Sequence, residues 1–459
     1  MISVSAFSGK TVVVMGLGKS GLSAVDALVE GGARVWAWDD SADNRKSATQ
    51  SGVMLTDIYQ EDWGDIETLV LSPGIPGFFP SPHPIAEKAR ENGCEIICDV
   101  DLLARSNSEA QFVGITGSNG KSTTTALIGH MLSHAGFDTA VGGNIGEPVM
   151  GLDALGGTGT YVLELSSYQL ERVPRLQLNV AVLLNICADH LDRHGGMSGY
   201  VAAKKSIFER VVQGGKAIIG MDDQVCRGIS LELMVNSTLS IQDIIPISAN
   251  GRVPGGVFID GTVLVDDLEN RQTPIVDLAK MQNLSGRHNW QNAAAAYASA
   301  RIVGVEGTVI ADALSTFSGL PHRQEIVRVI GNVRFINDSK ATNSEATAKA
   351  LASYENIFWI VGGQFKEKSV DINSGALSTV RHAYLIGDAQ DLFAEVLDGK
   401  VPFTRSGDIE AAVYQASQAA RAYGEPAEVL LSPACASFDQ FASFESRGAV
   451  FRDLVETLS

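Results

Sequence analysis

Gly117-Ser118-Asn119-Gly120-Lys121-Ser122 follows a short apolar stretch, Val113-Gly114-Ile115, and runs into Thr123, Thr124, Thr125 and Ala126, residues compatible with a helix. That order suits a phosphate-binding loop. Backbone N–H groups from Gly117 to Thr123 at a helix N-terminus cradle phosphate oxygens, Lys121 adds a point charge, and the Ser122 hydroxyl reaches a Mg²⁺ ion. The strict pattern GxxxxGK[ST] asks for Gly at position 115, where the chain has Ile115. The loop is therefore a variant, and the residues around it must say how the phosphate is used.

Glu164 ends YVLEL (161–165), and Asp189-His190 follow VAVLLNI (180–186) within DHLDRH (189–194). Both sites fall at carboxyl ends of strands, where α/β sheets gather ligand groups, and both suit Mg²⁺. SGYVAAKKSIFERVV (198–212) reads as a helix. A step of about 100° per residue puts Tyr200, Lys204, Ile207, Phe208 and Val211 on one face and Lys205 off it. Lys204 so placed admits two readings. It snorkels to solvent, or it is a desolvated amine with a lowered pKa, reactive at neutral pH.

GLGKSG (16–21) follows TVVVM (11–15), and acidic Asp39 comes at dinucleotide-fingerprint spacing. Three readings stay open: a nicotinamide dinucleotide site, a site for another pyrophosphate-containing ligand, or a tight turn that binds nothing. Further stretches with polar side chains are SPG (72–74), GRHN (286–289), LPHR (320–323), NDSKATN (337–343), GGQFK (362–366) and LSPACASFDQF (431–441). Arg323 lies just past a proline in a connection between domains, where it could swing onto nucleotide phosphates as domains close.

The elements that must position these groups alternate strand and helix, which implies parallel sheets with ligands at the strands' carboxyl ends. Strands are expected at 11–15, 34–38 and 68–71, then at 161–165, 180–186 and 217–220, and last at 333–338, 357–361, 383–387 and 428–432; an Ala-rich helix is expected from 289 to about 303. The expected architecture is α/β in three domains, 1–107, 108–320 and 321–459. A net charge of −18 argues against nucleic acid or an anionic membrane as partner. No apolar run approaches the roughly 20 residues of a membrane span, and the first residues lack a secretory pattern, so a cytoplasmic protein is expected. Cys94, Cys98, Cys187, Cys226 and Cys435 are scattered, and Cys94 with Cys98 reads as buried thiols rather than half a metal site.

TGSNGKS, GGNIG (142–146), ELSS (164–167), DHLDRH, Tyr200 with Lys204, GRHN, LPHR and NDSKATN together resemble the Mur ligase family of ATP-dependent amide-bond synthetases, in the family's order and over nearly the whole chain. GLGKSG, SPG and LSPACASFDQF resemble the branch that adds D-glutamate to UDP-N-acetylmuramoyl-L-alanine. No DNPR motif of the branch adding meso-diaminopimelate is present.

The resemblance implies a Rossmann-like first domain holding UDP, a central domain with the ATP loop, and a Rossmann-like third domain for ATP and the incoming amino acid. ATP would phosphorylate a carboxylate of the nucleotide-linked precursor, and an amino acid would attack the acyl phosphate. Carried across by position, Lys19, Ser20, Asp39, Asp40, Gly74 and Asn144 would meet the UDP substrate. ATP would fall to Gly117, Ser118, Asn119, Gly120, Lys121, Ser122, Thr123, Asn289, Arg323, Asp338 and Lys340. The resemblance assigns two Mg²⁺ ions to Ser122, Glu164, His190 and a Lys204 carbamylated by CO₂, with Lys121, Asn144, His190, Lys204 and Arg323 at the reacting centre. Lys366, Ser437 and Phe444 would frame D-glutamate, with Lys368 the alternative to Lys366. A monomer is expected. The rivals are a folate-polyglutamylating relative, a nucleotide-binding switch and a dehydrogenase.

Overall fold

The computed structural model describes residues 2–189, 191–236, 239–284, 286–365, 370, 372 and 374–458, with backbone alone at 236 and 282. Three sheets carry the chain, as the α/β reading with three sheet-bearing regions expects. In the first, β1 (Thr11–Met15), β2 (Arg34–Trp38), β3 (Thr68–Leu71) and β4 (Glu95–Ile97) pair in parallel in the order β2-β1-β3-β4. β1 is Val-rich and β3 is buried at every residue, as strands covered on both faces must be.

The second sheet contains β5 (Gln111–Thr116), β6 (Thr139–Gly143), β7 (Thr160–Glu164), β8 (Leu178–Leu183), β9 (Val211–Gly220), β10 (Ile244–Ser248), β11 (Val257–Asp260), β12 (Val263–Asp266) and β13 (Thr273–Asp277). Its order is β13-β12-β11-β10-β9-β8-β5-β7-β6. The pairs from β6 to β11 are parallel, whereas β12 and β13 fold back antiparallel. Gly261, at φ +62°, helps turn β11 into β12. The sequence reading missed β6, whose TAVGG lacks a strong β pattern, and the short strands β10 to β13.

The helix expected at 198–212 is shorter. An α-helix spans Met197–Lys205, a 3₁₀ segment covers Ser206–Arg210, and Val211 already opens β9, paired with Leu178 of β8. Ile207, Phe208 and Val211 have a helical spacing by coincidence, and sheet pairing takes the β-branched Val211. The helix Arg287–Val303 packs on the helix Lys121–His134. Its Ala293, Ala294, Ala295, Ala296, Ala298 and Ala300 are fully buried, which lets two helices approach closely.

The third sheet contains β14 (Glu325–Ile330), β15 (Val333–Asn337), β16 (Ile357–Gly362), β17 (Val380–Ile386), β18 (Phe403–Gly407) and β19 (Ala427–Leu431), in the order β14-β15-β19-β16-β17-β18. Among the described residues of this sheet, only β14 runs antiparallel to its neighbour. The chain forms two compact units, Met1–Met281 with Arg287–Thr316 and Gln282–Gly286 with Phe317–Ser459. The first holds two sheets and the second holds the third. Among the described residues no helix is long and apolar enough to cross a membrane, and the cysteines are free, with Cys187 exposed and the others buried.

Candidate active site

β5 ends at Thr116, and the loop 117–120 delivers the chain to the helix Lys121–His134. Gly120, the residue before that helix, has φ +85°, and a Cβ there would lie 2.1 Å from Asn292 Oδ1. Only glycine fits, for conformation and for space. The loop is held from β8's end: Ser118 N donates to Asn185 O at 2.8 Å and Asn119 N to Asn185 Oδ1 at 2.9 Å. Asn185 Nδ2 in turn donates to Gln291 Oε1 at 3.1 Å. Ser118 Oγ accepts from Cys187 N at 3.0 Å and lies 2.9 Å from Tyr200 Oη. Lys121 Nζ donates to the carbonyls of Gly117 and Ser118 at 2.8 and 2.9 Å. Ser122 is buried in the first turn of the helix.

Beside this loop the structure places Lys204, whose side chain is buried and whose Nζ donates to Gly117 O at 2.8 Å. The ammonium sits 4.8 Å from the centre of the Tyr200 ring. Burial, then the charge of Lys121, pulls its pKa down to about 7. Lys205 points the other way and pairs with Glu232 at 2.6 Å on the surface side. The helical-face reading of 200, 204 and 205 thus matches the structure, although the helix itself ends early.

Glu164 closes β7 and is buried; Oε1 accepts from Asn144 Nδ2 at 3.1 Å, and Oε2 is buried with no hydrogen-bond donor among the described residues. Asn144 N also donates to Glu164 O at 2.9 Å, so residue and partner are fixed together. A buried carboxylate oxygen lacking a donor is unfavourable by itself and suits a cation. Among the described residues no group of three or more His, Cys, Asp or Glu could hold a metal. The buried Glu164 oxygen fits Mg²⁺, which takes one or two protein oxygens and completes its shell with phosphate and water. His190 lies outside the described residues. His194, in the same motif, bonds Ser167 Oγ and Glu171 Oε1, each at 2.9 Å.

In the first sheet, Lys19 and Ser20 open the helix Lys19–Glu30 behind the glycine turn. Gly16 has φ +95°, and a Cβ there would lie 2.5 Å from Ser72 Oγ. Asp39 holds this turn together, accepting from Leu17 N at 2.7 Å, Ser41 N at 2.8 Å and Asn44 Nδ2 at 3.1 Å. Asp40 is the more outward carboxylate and bonds Tyr59 Oη and His83 Nε2, each at 3.0 Å. Burial and the bond to Asp40 push the Tyr59 hydroxyl up to about 12. Gly74 O accepts from Arg193 Nη1 at 2.9 Å.

In the second unit, Arg323 stands between His322 at φ +62° and Gln324 at φ +45°, two non-glycine residues in the left-handed region. Such strain persists only where surrounding bonds dictate it. Gln324 N donates to Asp338 Oδ1 at 3.2 Å, and Lys340 N to His322 O at 3.0 Å. Asp338 also accepts from Ser432 Oγ at 2.9 Å, and burial raises its pKa to about 7. Lys340 Nζ lies 5.0 Å from the ring of Phe444, the first residue of the helix Phe444–Thr457. Ser437 Oγ is buried with no hydrogen-bond partner among the described residues. Lys366 and Lys368 lie outside the described residues. Asn289 belongs to the first unit, where it accepts from Asn292 Nδ2 at 3.3 Å on the helix that abuts the phosphate loop.

Sequence reasoning missed Asn185, which holds the loop, Gln291, which bonds Asn185, Asn292, which closes the space beside Gly120, and Arg172. Asn185 was within reach, because it ends a strand of the phosphate-loop domain just before DHLDRH. The others carry no local signal.

The Mur ligase middle domain matches residues 115–300, and the Mur ligase MurD-like N-terminal domain matches residues 10–98. The chain belongs to the Mur ligase family, of which it shares 49% identity with the UDP-N-acetylmuramoylalanine--D-glutamate ligase of Caulobacter sp. (strain K31), over 100% of this chain and 98% of that protein. The enzyme of the same name from Rhodospirillum rubrum is 48% identical, over 100% of this chain and 97% of its own. Among solved structures, UDP-N-acetylmuramate-alanine ligase MurC from Thermotoga maritima superposes with a TM-score of 0.59 at 17% identity, covering 98% of this chain and 99% of that one. UDP-N-acetylmuramoylalanyl-D-glutamyl-2,6-diaminopimelate--D-alanyl-D-alanyl ligase from Acinetobacter baumannii gives 0.55 at 20% identity, covering 81% and 86%. These two share the fold.

Proposed function

We propose that this chain is an ATP-dependent ligase that joins D-glutamate to UDP-N-acetylmuramoyl-L-alanine, giving ADP and phosphate, in the synthesis of peptidoglycan precursors in the cytoplasm. The observation that carries the reading is the buried Lys204 amine 2.8 Å from Gly117 O of the phosphate loop. A nucleotide switch has no use for a buried, reactive amine there, and the full-length identity to ligases of this name points the same way.

The carboxylate of the nucleotide-linked substrate attacks the γ-phosphorus of ATP, two anions that must be brought together. Lys121 and Arg323 offset their charge, and Asn144, tied to Glu164, orients the reacting end. Ser122, Glu164, His190 and Lys204 would hold two Mg²⁺ ions, which when bound neutralise the phosphates. Lys204 takes part as a carbamate: its neutral nitrogen adds to the carbon of CO₂ and releases a proton, and the product offers anionic oxygens of the kind Mg²⁺ prefers. ATP is taken up by residues 117–123 with Asn289, Arg323, Asp338 and Lys340. UDP falls to Lys19, Ser20, Asp39, Asp40 and Gly74, and D-glutamate to Lys366, Ser437 and Phe444. The amine of D-glutamate attacks the acyl phosphate and displaces phosphate.

The test is a product assay with UDP-N-acetylmuramoyl-L-alanine, D-glutamate, ATP and Mg²⁺. The expected products are ADP and phosphate with strict preference for D- over L-glutamate. AMP and pyrophosphate, or equal use of L-glutamate, would reject the reading.

A further inference from the structure

Arg172 follows the short helix Ser167–Leu170, which comes directly after Glu164 at the catalytic edge of the second sheet. Its side chain is 4% exposed, and its guanidinium reaches into the first sheet's SPG turn. Nη1 donates to Leu71 O at 3.2 Å and Ser72 O at 2.9 Å, and Nη2 donates to Ile75 O at 2.6 Å. Among the described residues no carboxylate pairs with it. Arg193 reaches the same turn from the DHLDRH loop, donating to Gly74 O at 2.9 Å while lying 4.6 Å from the Tyr168 ring.

A buried cation bonded only to carbonyls is a costly way to hold a turn, since a neutral donor would serve at less desolvation. The charge has a use if the turn meets an anion. Four carbonyls of residues 71–75 would otherwise present their negative ends near the bound ligand, and two guanidinium groups cancel them. The turn passes the constraint on: Ser72 Oγ donates to Gly16 O at 3.0 Å, tying it to the glycine turn before Lys19. At the other end, Cys98 N donates to Arg172 O at 3.0 Å, and His194 anchors Arg193's loop to Ser167 and Glu171.

We infer that Arg172 and Arg193 are positioning residues that clamp the Leu71–Ile75 turn, and through Ser72 the Gly16 turn, to the segment carrying Glu164. They set the affinity for the nucleotide-linked substrate and the alignment of its carboxylate. This rests on the assignment of that substrate made above. Neither arginine contacts reacting atoms.

Steady-state kinetics on Arg172→Lys, Arg172→Met and Arg193→Met test the clamp. The expected result is a rise of ten-fold or more in KM for UDP-N-acetylmuramoyl-L-alanine, with KM for ATP and for D-glutamate within two-fold of wild type. Arg172→Lys, which keeps the charge and loses the fork, should fall between wild type and Arg172→Met. Should Arg172→Met fail to fold, Arg193→Met, on a half-buried side chain in a loop, carries the test. Calorimetric titration with UDP reads the clamp without turnover, and weaker binding to Arg193→Met is expected. An equal Kd for UDP in wild type and Arg193→Met, or an ATP KM that rises in parallel, overturns the clamp. Wild-type enzyme that fails to turn over the nucleotide substrate instead rejects the functional assignment, so the two failures are distinguishable.

Discussion

Replacing Lys204 with alanine is expected to remove at least 99% of ligase activity, and the size of that loss follows from the amine's surroundings. With its pKa pulled from 10.5 to about 7, the amine is about 90% neutral at pH 8, against roughly 0.3% for an ordinary lysine. Only the neutral form adds CO₂, so burial raises the reactive population about 300-fold over a lysine at the ordinary value. Loss of the carbamate removes anionic oxygens from the Mg²⁺ site, and a loss of two decades corresponds to about 2.7 kcal/mol of barrier. Alanine leaves room for a small acid, so millimolar formate or acetate should restore part of the turnover. Lys205→Ala should stay within two-fold of wild type, because Lys205 pairs with Glu232 away from the loop. The linkage has a definite sign. Between about pH 7 and 10.5 the unfolded lysine binds more protons than the folded one, so in CO₂-free buffer stability should rise with pH across that window by at most about 5 kcal/mol. Lys204→Met should lack that slope. Near-normal activity in Lys204→Ala, or a larger loss in Lys205→Ala, would refute both the helical-face placement and the metal role.

Gly120→Ala should abolish ATP binding and lower stability by about 1–3 kcal/mol, because φ +85° is strained for alanine and its Cβ meets Asn292. Thermal melts of Gly120→Ala and of its combination with Asn292→Gly would measure how much is steric, and the second change should recover part of the loss. Glu164→Gln keeps the bond from Asn144 but not the charge, so a Mg²⁺ titration should show a half-saturating concentration raised at least ten-fold with kcat reduced. Asp338 has its folded pKa raised to about 7, so the folded state holds a proton that the unfolded state has lost between about pH 4 and 7. Wild-type stability should fall across that window, and Asp338→Asn should flatten the fall by at most about 4 kcal/mol in denaturant titrations at pH 5 and pH 8.

What the chain disclosed before folding was the chemistry with short-range grammar. The phosphate loop is contiguous, so residue types and order suffice to place Gly120, Lys121 and Ser122. Lys204 was legible because a helix repeats every 3.6 residues and only one of two adjacent lysines can face inward. The same periodicity overran, because Ile207, Phe208 and Val211 satisfy a helical spacing as well as the 3₁₀ turn and strand they form. β12 and β13 each run antiparallel to the strand before them, and nothing in their short segments distinguishes that from loop. Arg172 was illegible for a different reason. Its partners are backbone carbonyls at Leu71, Ser72 and Ile75, which every residue type carries, so no pattern of side chains points to them. Asn292 meets Gly120 from a helix far along the chain, and its role depends on how helices pack rather than on its neighbours.

The alanine run in the helix Arg287–Val303 has a bearing on how this enzyme tolerates genetic drift. Ala293 to Ala296 are fully buried, and the same helix carries Asn292 up to Gly120 and Asn289 beside it. A methyl-sized intrusion such as Ala296→Val would have to be absorbed by displacing the helix, at about 1–3 kcal/mol. The displaced end is the one that touches the nucleotide loop. Temperature-sensitive alleles of this gene should therefore include alanines in the protein's interior that contact no ligand, and their defect at permissive temperature should register first as a weaker hold on ATP.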